Sequence, residues 1–172
     1  MNILTTMNRK NKIGIIIVVL FSLAILAYGY TCGYQKVCKL AVIEKVVRSG
    51  KEIDLPKGKV YAEVVDTPAS RAQGLSGRTG LKEDEAMLFV FEQSGKYGFW
   101  MKDMLFPIDI IWINKEGVVV HVVHSATPES YFNQVPPQTF INSPDAKYVL
   151  EIQAGSAEKF GLYLGTNVAL GE

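Results

Sequence analysis

The sequence predicts a mainly β domain, a β-sandwich or partly open barrel with two short helices, behind one N-terminal transmembrane helix. Three observations lead there. An uncharged, strongly apolar run lies at residues 13–30. Beyond it, short apolar stretches alternate with clusters of Gly, Pro, Asn and Asp, the pattern of strands and turns. Only two short stretches carry helix start and stop signals.

The apolar run is justified first. No charged residue occurs from Ile13 to Gln35. As a helix at ~1.5 Å per residue this stretch reaches about 34 Å, enough for a hydrocarbon core of ~30 Å. Arg9, Lys10 and Lys12 precede it. They place residues 1–12 in the cytoplasm and the rest of the chain outside, by the positive-inside rule. Two fates fit the segment. A retained, single-pass anchor agrees with its length, which exceeds the ~7–15 residues of a usual signal core. A cleavable signal peptide agrees with the small residues around Tyr28, and would release the domain. Both deliver the remainder out of the cytoplasm. With no Asp, Glu, Lys, Arg or His inside it, the segment reads as address and tether only.

Residues 31–59 mix Lys, Glu, Gly and Pro and read as a tether, with a weak strand over 42–47. Cys32 and Cys38 lie here and are the only cysteines. Export permits a disulfide, and free thiols or an intermolecular bridge are equally open. Neither has a histidine nearby in sequence.

The packed domain is expected over 60–172. Val60–Val65 alternates and reads as a strand. Thr67-Pro68 is an N-cap followed by proline at the first helical position, so a helix runs from Pro68 to Gln73 and stops at Gly74. Residues 75–81 are a loop. Ala86–Phe91 is a continuous apolar run and a buried strand. Tyr97–Lys102 is another strand. Ile108–Ile113 and Val118–Val123 flank Asn114-Lys115-Glu116-Gly117, a hairpin signal. Residues 125–145 hold four prolines and little periodicity. Lys147–Ile152 is a strand, Ser156–Phe160 a short helix closed by Gly161, and Asn167–Leu170 a terminal strand.

Several of these stretches resemble one family in order. They are Asp66-Thr67-Pro68-Ala69-Ser70-Arg71-Ala72-Gln73-Gly74-Leu75-Ser76-Gly77-Arg78, then Ala86-Met87-Leu88-Phe89-Val90-Phe91, Phe99-Trp100-Met101-Lys102, Pro107-Ile108-Asp109-Ile110, and Tyr148-Val149-Leu150-Glu151 with Gly155. Together they resemble the bacterial and archaeal domain of unknown function 192, over roughly residues 60–170. The resemblance implies a compact, β-sandwich-like domain, often behind an export signal or anchor, and brings no activity with it. The chain departs from the family pattern at Asp103-Met104, where Asn-Thr is usual, and lacks the cysteines many members carry in the later loop.

The chemistry-bearing residues lie near turns. Arg71 and Arg78 flank the Gly74/Gly77 turn, and Lys102 and Asp109 bracket Pro107. The functional reading is a polar site for an anionic group. The ordinary alternative is that Asp109 or Glu151 pairs with an arginine to pin loops to the sheet. On a strand, Trp100 and Lys102 share one side and Phe99 and Met101 the other. An exposed Trp100 beside Lys102 suits a sugar ring or peptide; a tryptophan filling core is the commoner case. His121 and His124 are three apart on a strand and point to opposite faces, so no metal site is expected. No nucleophile elbow, phosphate loop or dinucleotide fingerprint occurs, and no cofactor is implied. Beyond Tyr30 the chain has 15 basic and 17 acidic residues. That balance argues against a nucleic-acid footprint.

The sequence therefore points to a membrane-tethered, extracytoplasmic binding or envelope-associated module. Its ligand would be a glycan, a peptide or a small anion, met by Arg71, Arg78, Trp100, Lys102 and Asp109 together with the 125–145 loop. A carboxylate-dependent hydrolase using Asp109 with Glu63 or Glu151 is the alternative from another class, and a purely structural domain the third. Oligomeric state is not legible.

Overall fold

The structure, a computed structural model, describes residues 50–170. The apolar segment 13–30, both cysteines and the weak strand at 42–47 lie outside the described residues. Among those described, no helix is long and apolar enough to cross a membrane.

The expected tether gives way to structure before residue 59. Lys51–Leu55 forms β1, antiparallel to β2, Gly58–Val65. Ile53 and Leu55 alternate with polar residues and are buried, which is why this charged stretch folds. Helix α1, Pro68–Gln73, follows. Its Thr67 cap accepts from the Ser70 amide at 3.1 Å while Ser70 Oγ accepts from the Thr67 amide at 3.1 Å. Such a capping box stabilises a helix start by ~1 kcal/mol. The helix carries the chain across to β3, Glu85–Gly95, which pairs with β2 in parallel.

Among the described residues, β4, Gly98–Phe99, pairs only with β7, Phe140–Ile141. β5, Ile108–Ile113, and β6, Val119–Ala126, form the expected hairpin. Asn114 Oδ1 accepts from the Glu116 and Val118 amides at 3.1 and 2.8 Å. Gly117 sits at φ 81°, where a Cβ would fall 2.7 Å from the Val168 carbonyl oxygen. The 125–145 stretch is ordered by a short helix α2, Glu129–Phe132, and by β7. β8, Ala146–Gln153, and α3, Ser156–Phe160, complete the elements. The terminal stretch makes only isolated bridges, Asp54 to Ala169 and Val118 to Asn167.

These strands build one open six-stranded sheet in the order β1-β2-β3-β8-β5-β6, with the β4-β7 ribbon beside it. Among the described residues, the expected sandwich or barrel is corrected to this open, mainly β sheet with three short helices. The physical reason lies in β5. All six of its residues are buried, so both faces of the sheet are covered. One face packs Leu88, Ile111, Leu150 and Ile152 against Ala157, Phe160 and Leu162 of the C-terminal stretch. The other packs Met87, Phe89, Ile110 and Trp112 against Leu75, Met101 and Met104. A short continuous apolar run fits a strand of either architecture, so periodicity could not separate them.

Candidate functional site

The second face carries an open cleft of about 220 Å3. Its walls come from three places. The α1 end and following turn contribute Arg71, Ala72, Gln73 and Ser76. β3 contributes Phe89 and Phe91, and the β4 region contributes Tyr97, Phe99 and Trp100. Glu151 of β8 also lines it, coming from the central strand of the sheet.

Local chemistry holds these walls. The Asn142 side chain, 1% exposed, donates from Nδ2 to the Gly95 carbonyl at 3.0 Å and accepts from the Tyr97 amide at 2.8 Å. Trp112 Nε1 donates to the Tyr97 carbonyl at 3.0 Å. Phe91 and Tyr97 stack with centroids 3.5 Å apart, and Phe99 meets Phe89 edge-on at 4.8 Å. Ser76 Oγ donates to the Lys102 carbonyl at 2.9 Å and the Gly77 amide to the Asp103 carbonyl at 2.9 Å, joining the two loops that border the cleft.

Glu151 is the unusual residue. It is 5% exposed. Among the described residues its carboxyl has no hydrogen-bond partner, although it lines the cleft. Burial pushes its pKa up to about 8, and the charge of Arg78 pulls against that. At neutral pH the carboxyl is therefore mostly protonated. It offers a ligand one O–H donor and an acceptor oxygen, not an anion.

The expected site residues are divided by the fold. Arg71 and Trp100 line the cleft. Arg71 also ties the α1 region to the sheet, through backbone carbonyls and not through the Asp109 or Glu151 carboxyl of the ordinary reading. Its Nη1 donates to the Asp66 carbonyl and to the Val90 carbonyl at 2.9 Å, and its guanidinium lies 5.0 Å from the Phe91 ring centroid. Trp100 is 59% exposed, so the core-filling reading passes instead to Trp112, which is fully buried. Arg78 is outside the lining and bridges Glu63 at 2.7 Å. Lys102 is exposed and also outside the lining.

Asp109 is elsewhere. It is fully buried on the opposite face, where Oδ1 accepts from the Ser125 amide at 2.8 Å and Oδ2 from the Ala157 amide at 2.9 Å. It serves α3, whose own cap Gly155 has no side chain to offer. This corrects the expected carboxylate pair, because Asp109 and Glu151 point to opposite sides of the sheet. Glu63 does share the Glu151 face, through the register Glu63–Met87–Glu151. It lies two strands away, roughly 10 Å at ~4.8 Å per strand, and its carboxylate is taken by Arg78.

Sequence reasoning weighed Glu151 only as a loop pin or half of a carboxylate pair and passed over Tyr97, Phe89 and Phe91. A signal for Glu151 was present: an acidic residue interrupting Tyr148-Val149-Leu150-Glu151-Ile152, a strand otherwise apolar.

Comparisons with known proteins agree with this architecture. The model of the domain of unknown function 192, described as an uncharacterized ACR, matches residues 51–170. A crystal structure of a protein of unknown function from Novosphingobium aromaticivorans DSM 12444 is similar at 26% identity and a TM-score of 0.60, covering 68% of this chain and 82% of that one. A candidate transcription regulator from Sinorhizobium meliloti 1021 is similar at 26% identity and a TM-score of 0.60, covering 68% and 88%. No curated protein matches the chain.

Proposed function

The chain belongs to the domain of unknown function 192 family, and from that premise we propose that it is a membrane-tethered, extracytoplasmic binding module whose ligand seats in the Glu151 cleft. The observation that carries the reading is the carboxyl of Glu151, which opens onto an aromatic cleft from an otherwise buried residue and makes no hydrogen bond to another described residue. Among the described residues no fully buried side-chain oxygen or nitrogen lacks a partner, so the Glu151 oxygens are open to the cleft, and a ligand hydroxyl that replaces water there gains ~0.5–1.5 kcal/mol net per hydrogen bond. Concave sites lined by aromatics with a few polar groups are the usual form of small-ligand sites. The apolar run at 13–30 and the basic residues before it support a single-pass anchor with the N-terminus in the cytoplasm.

Regulation of transcription by direct DNA contact is the reading that the Sinorhizobium protein's description brings to mind. It finds no support in charge. Residues 51–170 hold 11 Lys and Arg against 15 Asp and Glu, a net charge of −4, where a nucleic-acid footprint needs clustered cations.

The test is a binding screen of the full chain in nanodiscs against glycan and peptide panels, repeated with Ala72→Trp. Ala72 is exposed and lines the cleft, so the indole plugs it without disturbing the core. Binding that the plug removes supports the reading. No binding to either panel, or binding indifferent to the plug, overturns it.

A further inference from the structure

We propose that the cleft receives a neutral, hydroxyl-bearing six-membered ring, a pyranose unit of a glycan, stacked on Trp100 and hydrogen-bonded to Glu151. This rests on the binding reading above and names its ligand class.

Three features point to such a ring. Trp100 is 59% exposed at the cleft while Trp112 is fully buried. An exposed indole beside a pocket offers a flat apolar face, which the C–H face of a pyranose covers without a charge. Glu151 then supplies the polar contact. Protonated, its carboxyl both donates and accepts, the complement of a hydroxyl group that does the same. A purely apolar ligand would leave that carboxyl unsatisfied. Space agrees: about 220 Å3 exceeds the ~150 Å3 cavity that takes one benzene ring, so a single six-membered ring with its hydroxyls has room.

Of the nearby cations, Arg78 is offset by Glu63, while Arg71 keeps its charge at the cleft but is held in place by two backbone carbonyls. Neutral polar groups also line the cleft. Gln73 Nε2 donates to the Ser76 carbonyl at 3.1 Å, which orients its amide and leaves Oε1 as an acceptor.

The experiment titrates the full chain in nanodiscs with methyl pyranosides, with oligosaccharides, and with capped tetrapeptides, following tryptophan emission. Of the two tryptophans, only Trp100 can meet a ligand. A pyranoside is expected to shift that emission. Losing one stacking or hydrogen-bonding group of ~1.4 kcal/mol or more weakens binding about tenfold or more. Trp100→Ala and Glu151→Leu should each do this by saturation-transfer NMR. Trp100→Phe and Glu151→Gln keep a ring and a donor–acceptor pair, and should bind within about threefold of the parent, under half that free energy. Circular dichroism checks that each variant folds. Oligosaccharide binding without methyl pyranoside binding would mean that a chain, not a single ring, is recognised, and would overturn the one-ring assignment. Peptide binding abolished by Ala72→Trp, with no sugar binding, overturns the ligand class and keeps the binding reading. Binding of neither overturns both. Sugar binding that survives Trp100→Ala and Ala72→Trp places the sugar elsewhere and overturns this proposal.

Discussion

Glu151 and Asp109 are both buried carboxyl residues on adjacent strands, and the fold treats them oppositely. Asp109 accepts two backbone amides. Glu151 accepts none among the described residues, and burial raises its pKa from 4.5 to about 8. A raised pKa means that the folded state binds the proton more tightly than the unfolded state. The stability that this proton contributes is then fully present below about pH 4.5, declines as pH rises, and is lost above about pH 8. The linked loss is on the order of 3–5 kcal/mol. Glu151→Gln removes the titration. Urea denaturation from pH 5 to 9 should show the parent weakening through this window and the variant staying nearly level; parallel curves would disprove the assignment. Of the two carboxylates, the sequence marked Asp109 for function and Glu151 only as an accessory. Which face each points to depends on strand register, and the short run that holds each one does not encode it.

At the level of elements, Asp109 joins three of them. It sits on β5, holds the β6 irregularity at Ser125, which has φ 50°, and anchors the first turn of α3. Removing the acceptor leaves two backbone donors unsatisfied, and each such buried group costs ~1–3 kcal/mol. Asp109→Ala should therefore cost roughly 2–6 kcal/mol by chemical denaturation, with α3 amides losing hydrogen-exchange protection first. A cost under about 1 kcal/mol would remove the proposed clamp. Much at this scale was readable from sequence. Both α1 and α3 begin and end where their caps place them, and β5 spans the predicted residues. The β4 stretch was less so. It forms a strand only over Gly98–Phe99, yet the predicted alternation survives: Met101 is buried and Trp100 and Lys102 are exposed. Side-chain polarity set that alternation, while strand length depended on the partner, β7, which offers two residues.

For the whole molecule, β1 is the edge that the sequence concealed. It covers Val60 and Ala62 of β2 with Ile53 and Leu55, and Asp54 bridges Ala169 from the C-terminal stretch. A chain shortened to begin at Val60 loses the four-residue apolar contact and one edge of the sheet. It should express poorly or unfold without a cooperative transition, whereas a chain beginning at residue 50 should unfold in one step; equal melting of the two would show β1 to be dispensable. The sequence by itself determined the turns, the helix caps and the buried strands, because these rest on local backbone geometry and on neighbours within a few residues. It also carried the family resemblance, since those motifs are contiguous. Only the tertiary structure decided that the strands form one open sheet with two covered faces. Strand order and register come from contacts between residues far apart in the chain. That order put Asp109 beneath α3, and it brought Glu151 to a cleft walled by α1, β3 and the β4 region.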